Sequence, residues 1–182
     1  MTRNPAAGGA LVHPATLGAL ALLAVNDHVL KRVCPGFVTG KLSDFAGVLL
    51  LPIFLHALFE LGSGLVRRQP LQAAGSERAL VACVALSMLA FALPEVWQPA
   101  ELAYRYGLGA LRWPLQALFA LGGGDAPPGL RPVRATADVT DLLALPMGLL
   151  AFRIGRLGGA RARQAERSQS GAAQASAVSH ST

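Results

Sequence analysis

Four long apolar stretches, separated by shorter polar segments, constrain this chain more than any other feature of its sequence. They cover about residues 11–30, 42–66, 79–97 and 139–157, and a helix needs about 20 residues to cross the hydrocarbon of a bilayer. The stretches are apolar all round, so hydrophobic periodicity does not define their secondary structure. A chain in hydrocarbon must satisfy its backbone hydrogen bonds internally, which favours helices. The sequence therefore predicts an all-α membrane protein, a bundle of four transmembrane helices.

The composition supports a membrane protein and excludes several other classes. Hydrophobic residues make up 53% of the 182 residues and charged residues 14%, whereas soluble domains carry about 25% charged residues. A soluble chain of this length has too little interior to bury so much apolar surface. The only cysteines, Cys34 and Cys83, are too few for a disulfide scaffold and lack the spacing of a metal site.

The sequence divides into a transmembrane domain, residues 1–158, and a polar tail, residues 159–182. The tail is rich in Ala, Ser and Gln and has no hydrophobic periodicity, which predicts disorder. Between the third and fourth spans, residues 101–121 combine two arginines with two tyrosines and a tryptophan. This mixture is typical of the headgroup level of a membrane. We expect an interfacial or re-entrant helix there, with a fifth span as the alternative.

The net charge is +6, and the basic residues flank the apolar spans, where they orient a membrane protein. Aromatic residues are only 6% of the chain and do not interleave with a basic face, so we expect no nucleic-acid partner. With four spans, both termini lie on one side of the membrane, and that side carries nine of the 16 lysines and arginines. The positive-inside rule then predicts that both termini are cytoplasmic.

Polar side chains gather at particular ends of the four spans. In an up-down bundle, the ends of the first and third spans share one membrane face with the starts of the second and fourth. The residues predicted to converge there are Asn26, Asp27 and His28 from the first span, Lys41 and Asp44 from the second, Glu95 and Gln98 from the third, and Arg134, Asp138 and Asp141 before or within the fourth. Charges are costly in hydrocarbon, so these groups should face the bundle interior and find partners.

This cluster indicates a polar, carboxylate-rich pocket that binds a headgroup. Lys41, together with Arg134, would hold an anionic lipid or a cell-envelope precursor, and the carboxylates would orient these cations. Four alternatives stay open: a polar cap that only fixes helix register, ion or proton transfer, a metal-dependent enzyme acting on a lipid headgroup, and an accessory membrane subunit. The sequence assigns no catalytic residue, metal ligand, cofactor or oligomeric state.

Two further polar residues lie deeper along the second span. By helical rise, His56 is about 18 Å and Glu60 about 24 Å from Asp44. We expect His56 to be a packed core histidine bonded to a neighbour, and Glu60 to reach the opposite interface.

The polar motifs at the span ends resemble those of the VanZ-like family. The matching positions are Lys41, Leu42 and Phe45 at the start of one span, Glu95 and Gln98 at the end of another, and Arg134, Asp141 and Gly148 around the start of the last. Asp44 stands where the family usually has histidine, and Leu145 stands where it has asparagine. The resemblance implies a small integral protein of the bacterial cytoplasmic membrane. The founding member of the family is associated with resistance to the antibiotic teicoplanin.

Overall fold

The computed structural model of the protein describes residues 9–67, 77–124 and 126–179. Within these ranges the chain is helical and contains no β-strand, which confirms the predicted all-α class. The elements in chain order are α1 (Pro14–Val25), a π-helical turn (Asn26–Leu30), α2 (Lys31–Val33), α3 (Phe37–Arg67), α4 (Glu77–Val96), α5 (Gln98–Gly122), a 3-10 helix (Val139–Ala144) and α6 (Pro146–Ser179).

Three helical stretches among the described residues are long and apolar enough to cross a membrane. They are Phe37–Val66, Glu77–Val96 and Val139–Ala160. They correspond to the second, third and fourth predicted spans and support a membrane protein. Within the first predicted span, residues 11–30, the structure has α1 followed by the π-helical turn, and neither element alone has that length.

The start of α1 follows from its local sequence. His13 is extended, and its Nδ1 accepts a hydrogen bond from the backbone N–H of Ala15 at 3.2 Å. Pro14 occupies the first helical position, where the missing N–H has no intrahelical partner to lose. At the other end of α1, the hydrogen bonding changes to the π-helical turn at Asn26. Such turns occur mostly as single interruptions of a helix and often at functional sites.

The chain divides into two compact units, and the first comprises residues 1–88 and 144–182. Within this unit α3 packs against both α1 and α6. The buried core is made of small and branched apolar side chains: Ala19 from α1, Ala46, Leu49 and Ile53 from α3, and Ala151 and Ile154 from α6. Small side chains let helices approach closely, and close packing drives helix association in a membrane.

Helix α4 approaches α6 at two glycines of α6. A Cβ atom on Gly155 would lie 2.6 Å from Leu80 Cδ1, and one on Gly148 would collide with the sulfur of Met88. The order of the two contacts is reversed between the helices, so α4 and α6 run antiparallel. The predicted alternation of span directions therefore holds for this pair.

Large apolar side chains remain exposed along the helices. On α3, Phe54, Leu58 and Leu61 are each about half exposed and lie on one face. An exposed apolar surface of this kind marks a contact with another protein or with lipid. Because α3 is long enough to span a membrane, we expect lipid to contact this face.

The second compact unit, residues 89–143, is built around α5. After α5 the chain turns and runs back as an extended segment of residues 126–138, called the return segment below. The indole Nε1 of Trp113 donates to the carbonyl of Pro128 at 2.7 Å. Nearer the start of α5, the N–H of Val133 donates to the carbonyl of Arg105, and Nε of Arg105 donates to the carbonyl of Val133, both at 3.1 Å. The return segment therefore lies antiparallel along α5.

A glycine permits the close approach of the return segment to α5. Gly109 is buried, and a Cβ atom there would collide with the carbonyl oxygen of Arg131. The helix that the sequence predicts at residues 101–121 is thus present and slightly longer, and it carries the return segment on one face.

The end of the chain differs from its prediction. The sequence predicted a disordered tail over residues 159–182, whereas α6 continues to Ser179. The tail is rich in Ala, Arg and Gln, which are among the best helix formers, and this intrinsic propensity explains why the helix continues beyond its apolar part. Residues 180–182 lie outside the described residues.

Candidate functional site

The ten predicted site residues divide between the two compact units. The first unit holds Asn26, Asp27, His28, Lys41 and Asp44, and the second holds Glu95, Gln98, Arg134, Asp138 and Asp141. In each unit, hydrogen bonds join the end of one predicted span to the start of the next.

Asn26 joins the π-helical turn to α3. Its side chain is fully buried, and its Nδ2 donates to the carbonyl of Thr39 at 2.6 Å and to Ser43 Oγ at 2.8 Å. Its Oδ1 is also buried and has no hydrogen-bond partner within the described part of the chain. Both donor positions of this amide are thus used to hold two helical elements together.

Asp27 extends the same network toward the surface. Ser43 Oγ donates to Asp27 Oδ1 at 2.9 Å, and Lys31 Nζ lies 2.7 Å from the same oxygen. The Asp27 and Lys31 side chains are each 42% exposed, so solvent screens this ion pair. Lys31 was not among the ten predicted residues, although it follows Asp27 by one helical turn.

The remaining predicted residues of the first unit have different surroundings. His28 is exposed, and its Nδ1 donates to the carbonyl of Ala24 at 3.0 Å. The Lys41 ammonium lies 4.8 Å from the ring centroid of Phe37, within the range of a cation–π interaction. Asp44 follows Lys41 by three positions on α3, so the two partly buried side chains share a side of the helix.

In the second unit, Glu95 contacts the residue that begins the last predicted span. Glu95 Oε2 accepts a hydrogen bond from the backbone N–H of Asp138 at 2.6 Å. Asp138 Oδ1 accepts two more, from the N–H of Thr140 at 2.9 Å and from its hydroxyl at 2.7 Å. The N–H of Asp141 also donates to the carbonyl of Asp138 at 2.8 Å. Asp138 therefore acts as the cap of the 3-10 helix, as side chains of this type do at helix starts.

Gln98 and Arg134 lie on different elements of the second unit. Gln98 is exposed in the first turn of α5, and Arg134 is exposed on the return segment. Of the ten predicted residues, only Arg134 belongs to the cavity described next.

A cavity of about 570 Å³ lies between α5 and the return segment. We call it the arginine groove. Its lining residues are Gly109, Arg112, Gln116, Pro128, Gly129, Arg131, Pro132, Val133 and Arg134.

Three guanidinium groups give this groove its charge. Arg112 comes from α5, and Arg131 and Arg134 come from the return segment. All three residues are exposed, and no ion pair joins any of them to a carboxylate of the described residues. The described residues of the lining include no Asp or Glu, so the three arginines make this part of the groove positive.

The groove is equipped to bind an anion. A guanidinium presents a planar fork of donors that matches two oxygens of a phosphate or carboxylate. Gln116 adds an amide that can donate to a further oxygen.

Sequence reasoning missed Arg112 and Arg131. Arg112 was interpreted only as part of the interfacial mixture of residues 101–121, and Arg131 only as one of the charges counted for the positive-inside rule, which assigns arginines no site. The available signal was spacing: Arg105, Gly109, Arg112 and Gln116 recur at four, three and four positions, which places them on one face of a helix.

The described residues give no support to a metal centre. Within residues 9–67, 77–124 and 126–179, no three His, Cys, Asp or Glu side chains are grouped so that they could hold a metal ion. Comparisons with protein-family models, with curated proteins and with solved structures found no match to this chain.

Proposed function

We propose that this protein is a four-span membrane protein that binds a phosphate-bearing anion in the arginine groove. The proposed ligand is the headgroup of an anionic lipid or of a lipid-linked cell-envelope precursor. The proposed setting is the bacterial cytoplasmic membrane with both termini in the cytoplasm. Three guanidinium groups around one cavity carry this proposal, because none of them has an ion-pair partner among the described residues and an anion would supply the opposite charge.

The size of the groove favours a headgroup over a small inorganic ion. Its volume of about 570 Å³ falls within the range of about 300–1,000 Å³ that is usual for small-molecule sites. An inorganic phosphate would contact only part of such a lining. A phosphate that carries a sugar or a second phosphate would reach all three guanidinium groups.

A second face of α5, adjacent to the groove face, favours a lipid source for the ligand. Tyr104, Leu111, Leu115 and Leu118 follow a helical repeat and are 43%, 73%, 61% and 66% exposed. A helix with one apolar face and one basic face lies in the plane of a membrane interface, its apolar face in the acyl region. The basic face of α5 would then be held at headgroup level.

The carboxylates have a supporting role in this proposal. Glu95 and Asp138 bond backbone and hydroxyl groups at the point where the return segment ends. Their contacts position the segment that carries Arg131 and Arg134. The proposed ligand is of the predicted class, but the proposed site is the arginine groove and not the predicted carboxylate-rich pocket.

Native mass spectrometry of the purified protein in detergent tests the proposal. The protein would be mixed with phosphatidylglycerol or, in a parallel sample, with zwitterionic phosphatidylcholine. We expect selective retention of phosphatidylglycerol by the wild type and a loss of at least tenfold in retention by the combined R112Q, R131Q and R134Q variant. The matched control is Arg32→Gln, which removes an exposed arginine of α2 outside the groove.

Competition distinguishes a lipid from a soluble ligand. If inorganic pyrophosphate displaces phosphatidylglycerol at equal concentration, the groove recognises phosphate without need of the acyl chains. If only a second anionic lipid displaces it, the lipid is the ligand. Equal retention by the wild type and the triple variant, with circular dichroism showing both folded, would overturn the proposal.

A further inference from the structure

The contacts between the return segment and α5 give the level of each arginine along the arginine groove. The return segment crosses α5 at Gly109, where the carbonyl oxygen of Arg131 lies against this buried glycine. One helical turn nearer the start of α5, Val133 and Arg105 are joined by two hydrogen bonds, both at 3.1 Å. These two crossings fix how the return segment is aligned with the helix.

Two of the three guanidinium groups belong to neighbouring levels of the groove. Arg131 lies at the level of Gly109. Arg112 follows Gly109 by three positions, so it lies about 4.5 Å further along the helix axis and on the same side of α5. Less than one helical turn separates the two levels. We call Arg112 and Arg131 the arginine pair.

Arg134 lies apart from the arginine pair. It follows Val133, which is at the level of Arg105, and seven positions of α5 separate Arg105 from Arg112. Seven positions correspond to about 10.5 Å of helix. Along the return segment, Arg134 is three residues from Arg131, and an extended chain covers up to about 10 Å in three residues. The groove therefore has two separate positive positions.

This arrangement suits two anionic groups better than one. A phosphodiester has a single negative charge and two free oxygens, which the arginine pair would occupy. Arg134 would then lack an anion, and the carboxylate nearest in the sequence to its hydrogen-bonded neighbour, that of Glu101, already lies 3.4 Å from the Arg105 guanidinium. Two phosphates on a short linker would meet both positive positions at once.

We propose that the arginine groove recognises a ligand with two phosphate groups joined by a short polyol linker, the arrangement found in the headgroup of cardiolipin. One phosphate binds to the arginine pair and the other to Arg134. This inference rests on the proposed function, because it specifies which anion the groove prefers.

The surroundings of the arginine pair favour a lipid as the source of the two phosphates. Leu115 and Leu118 follow Arg112 by three and six positions and are 61% and 66% exposed. Acyl chains attached to a phosphate at Arg112 would lie along these side chains. Basic pockets of membrane proteins bind headgroups with more than one phosphate, cardiolipin among them.

Native mass spectrometry of the full chain in detergent tests the inference with three anionic lipids. Cardiolipin, phosphatidylglycerol and phosphatidic acid, all with the same acyl chains, would be offered at equal concentrations of phosphate. Phosphatidic acid carries nearly two charges on a single phosphate and so separates phosphate spacing from total charge. We expect the wild type to retain cardiolipin over each of the other two by about fivefold or more, because a second charge-assisted contact is added.

Arg134→Gln should remove this preference. The ratio of retained cardiolipin to retained phosphatidylglycerol should fall towards one, because the second phosphate loses its partner. Arg32→Gln, outside the groove, should keep the ratio of the wild type. Circular dichroism of both variants checks that they are folded.

Propane-1,3-diol bisphosphate, which has two phosphates and no acyl chains, distinguishes the two sources of the ligand. If it displaces cardiolipin at equal concentration, the groove recognises the two phosphates of a soluble compound as well. If it does not, the lipid is the ligand.

Two results would overturn the inference and leave the proposed function in place. They are equal retention of cardiolipin and either of the other anionic lipids by the wild type, and an unchanged ratio in folded Arg134→Gln. Retention of no anionic lipid over phosphatidylcholine would overturn both the inference and the proposed function.

Discussion

The Glu95 carboxylate accepts the backbone N–H of Asp138 at 2.6 Å, and this bond connects the end of α4 to the end of the return segment. The two residues lie on either side of α5 in the sequence, 43 positions apart. Asp138 uses its own carboxylate to begin the 3-10 helix that leads into α6. One glutamate side chain thus binds the backbone at the point where the return segment ends and the 3-10 helix begins.

Removal of the Glu95 carboxylate should release the end of the return segment. A hydrogen bond to a charged group contributes about 1.5–3 kcal/mol. In Glu95→Ala we expect hydrogen exchange at the Asp138 amide to accelerate by at least tenfold. Glu95→Gln keeps an acceptor oxygen and should show a much smaller increase. Equal exchange rates in the wild type and in Glu95→Ala would show that this bond does not hold the segment.

Substitution of Gly109 should open the arginine groove. A Cβ there would collide with the backbone of Arg131, and overpacking of a close contact costs about 1–3 kcal/mol. We expect Gly109→Ala to lower the stability and to reduce the retention of an anionic lipid. Gly107→Ala is the matched control on the same helix, because a Cβ at Gly107 meets nothing within 4 Å. Helix propensity predicts that Gly107→Ala stabilises α5 by up to about 1 kcal/mol.

Thermal unfolding of both variants in detergent provides the comparison. If Gly109→Ala and Gly107→Ala have the same melting temperature and the same lipid retention, the return segment does not depend on its close approach to α5.

Loss of the Asn26 amide should separate the π-helical turn from α3. Asn26→Ala removes the donors to the Thr39 carbonyl, in a buried bond, and to the part-buried Ser43 hydroxyl. We expect a loss of about 1–3 kcal/mol in the free energy of unfolding, measured by denaturant titration in mixed micelles. Ser43→Ala removes only one of the two partners and should cost less. A greater loss in Ser43→Ala than in Asn26→Ala would contradict this account.

Substitution of Gly155 should separate α4 from α6. Its Cβ would lie 2.6 Å from the side chain of Leu80, which is itself buried and has little room to move. Overpacking predicts that Gly155→Ala destabilises the protein by about 1–3 kcal/mol. Gly62→Ala on α3 is the control, since a Cβ there meets nothing within 4 Å. The two unfolding free energies, measured in the same micelles, should differ in this direction.

The transmembrane class was predictable because it depends on local composition. The helices at Phe37–Val66, Glu77–Val96 and Val139–Ala160 match long apolar stretches, and hydrocarbon admits few other conformations. The first span was predicted as one helix, whereas the chain widens into a π-helical turn at Asn26. At this point Asn26 contacts Thr39 and Ser43 of α3, which lie 13 and 17 positions further along the chain, and the neighbouring sequence does not show such contacts.

The partners of the polar residues could not be predicted from spacing. The spacing of Glu95 and Asp138 relative to the spans placed both at span ends, but it did not show that the glutamate meets a backbone N–H. The arginine groove was missed for a similar reason. It exists because the return segment lies along α5, and that path depends on the small size of Gly109 and on the indole of Trp113.

The arginine groove also differs from most binding sites in how its walls are encoded. Every lining residue in the described part of the chain falls between Gly109 and Arg134, so one stretch of sequence supplies both sides. None of the core residues that hold α1, α3 and α6 together falls within that stretch. Substitutions within this short stretch can therefore change the groove without changing the core residues of the membrane helices, which are constrained by packing instead.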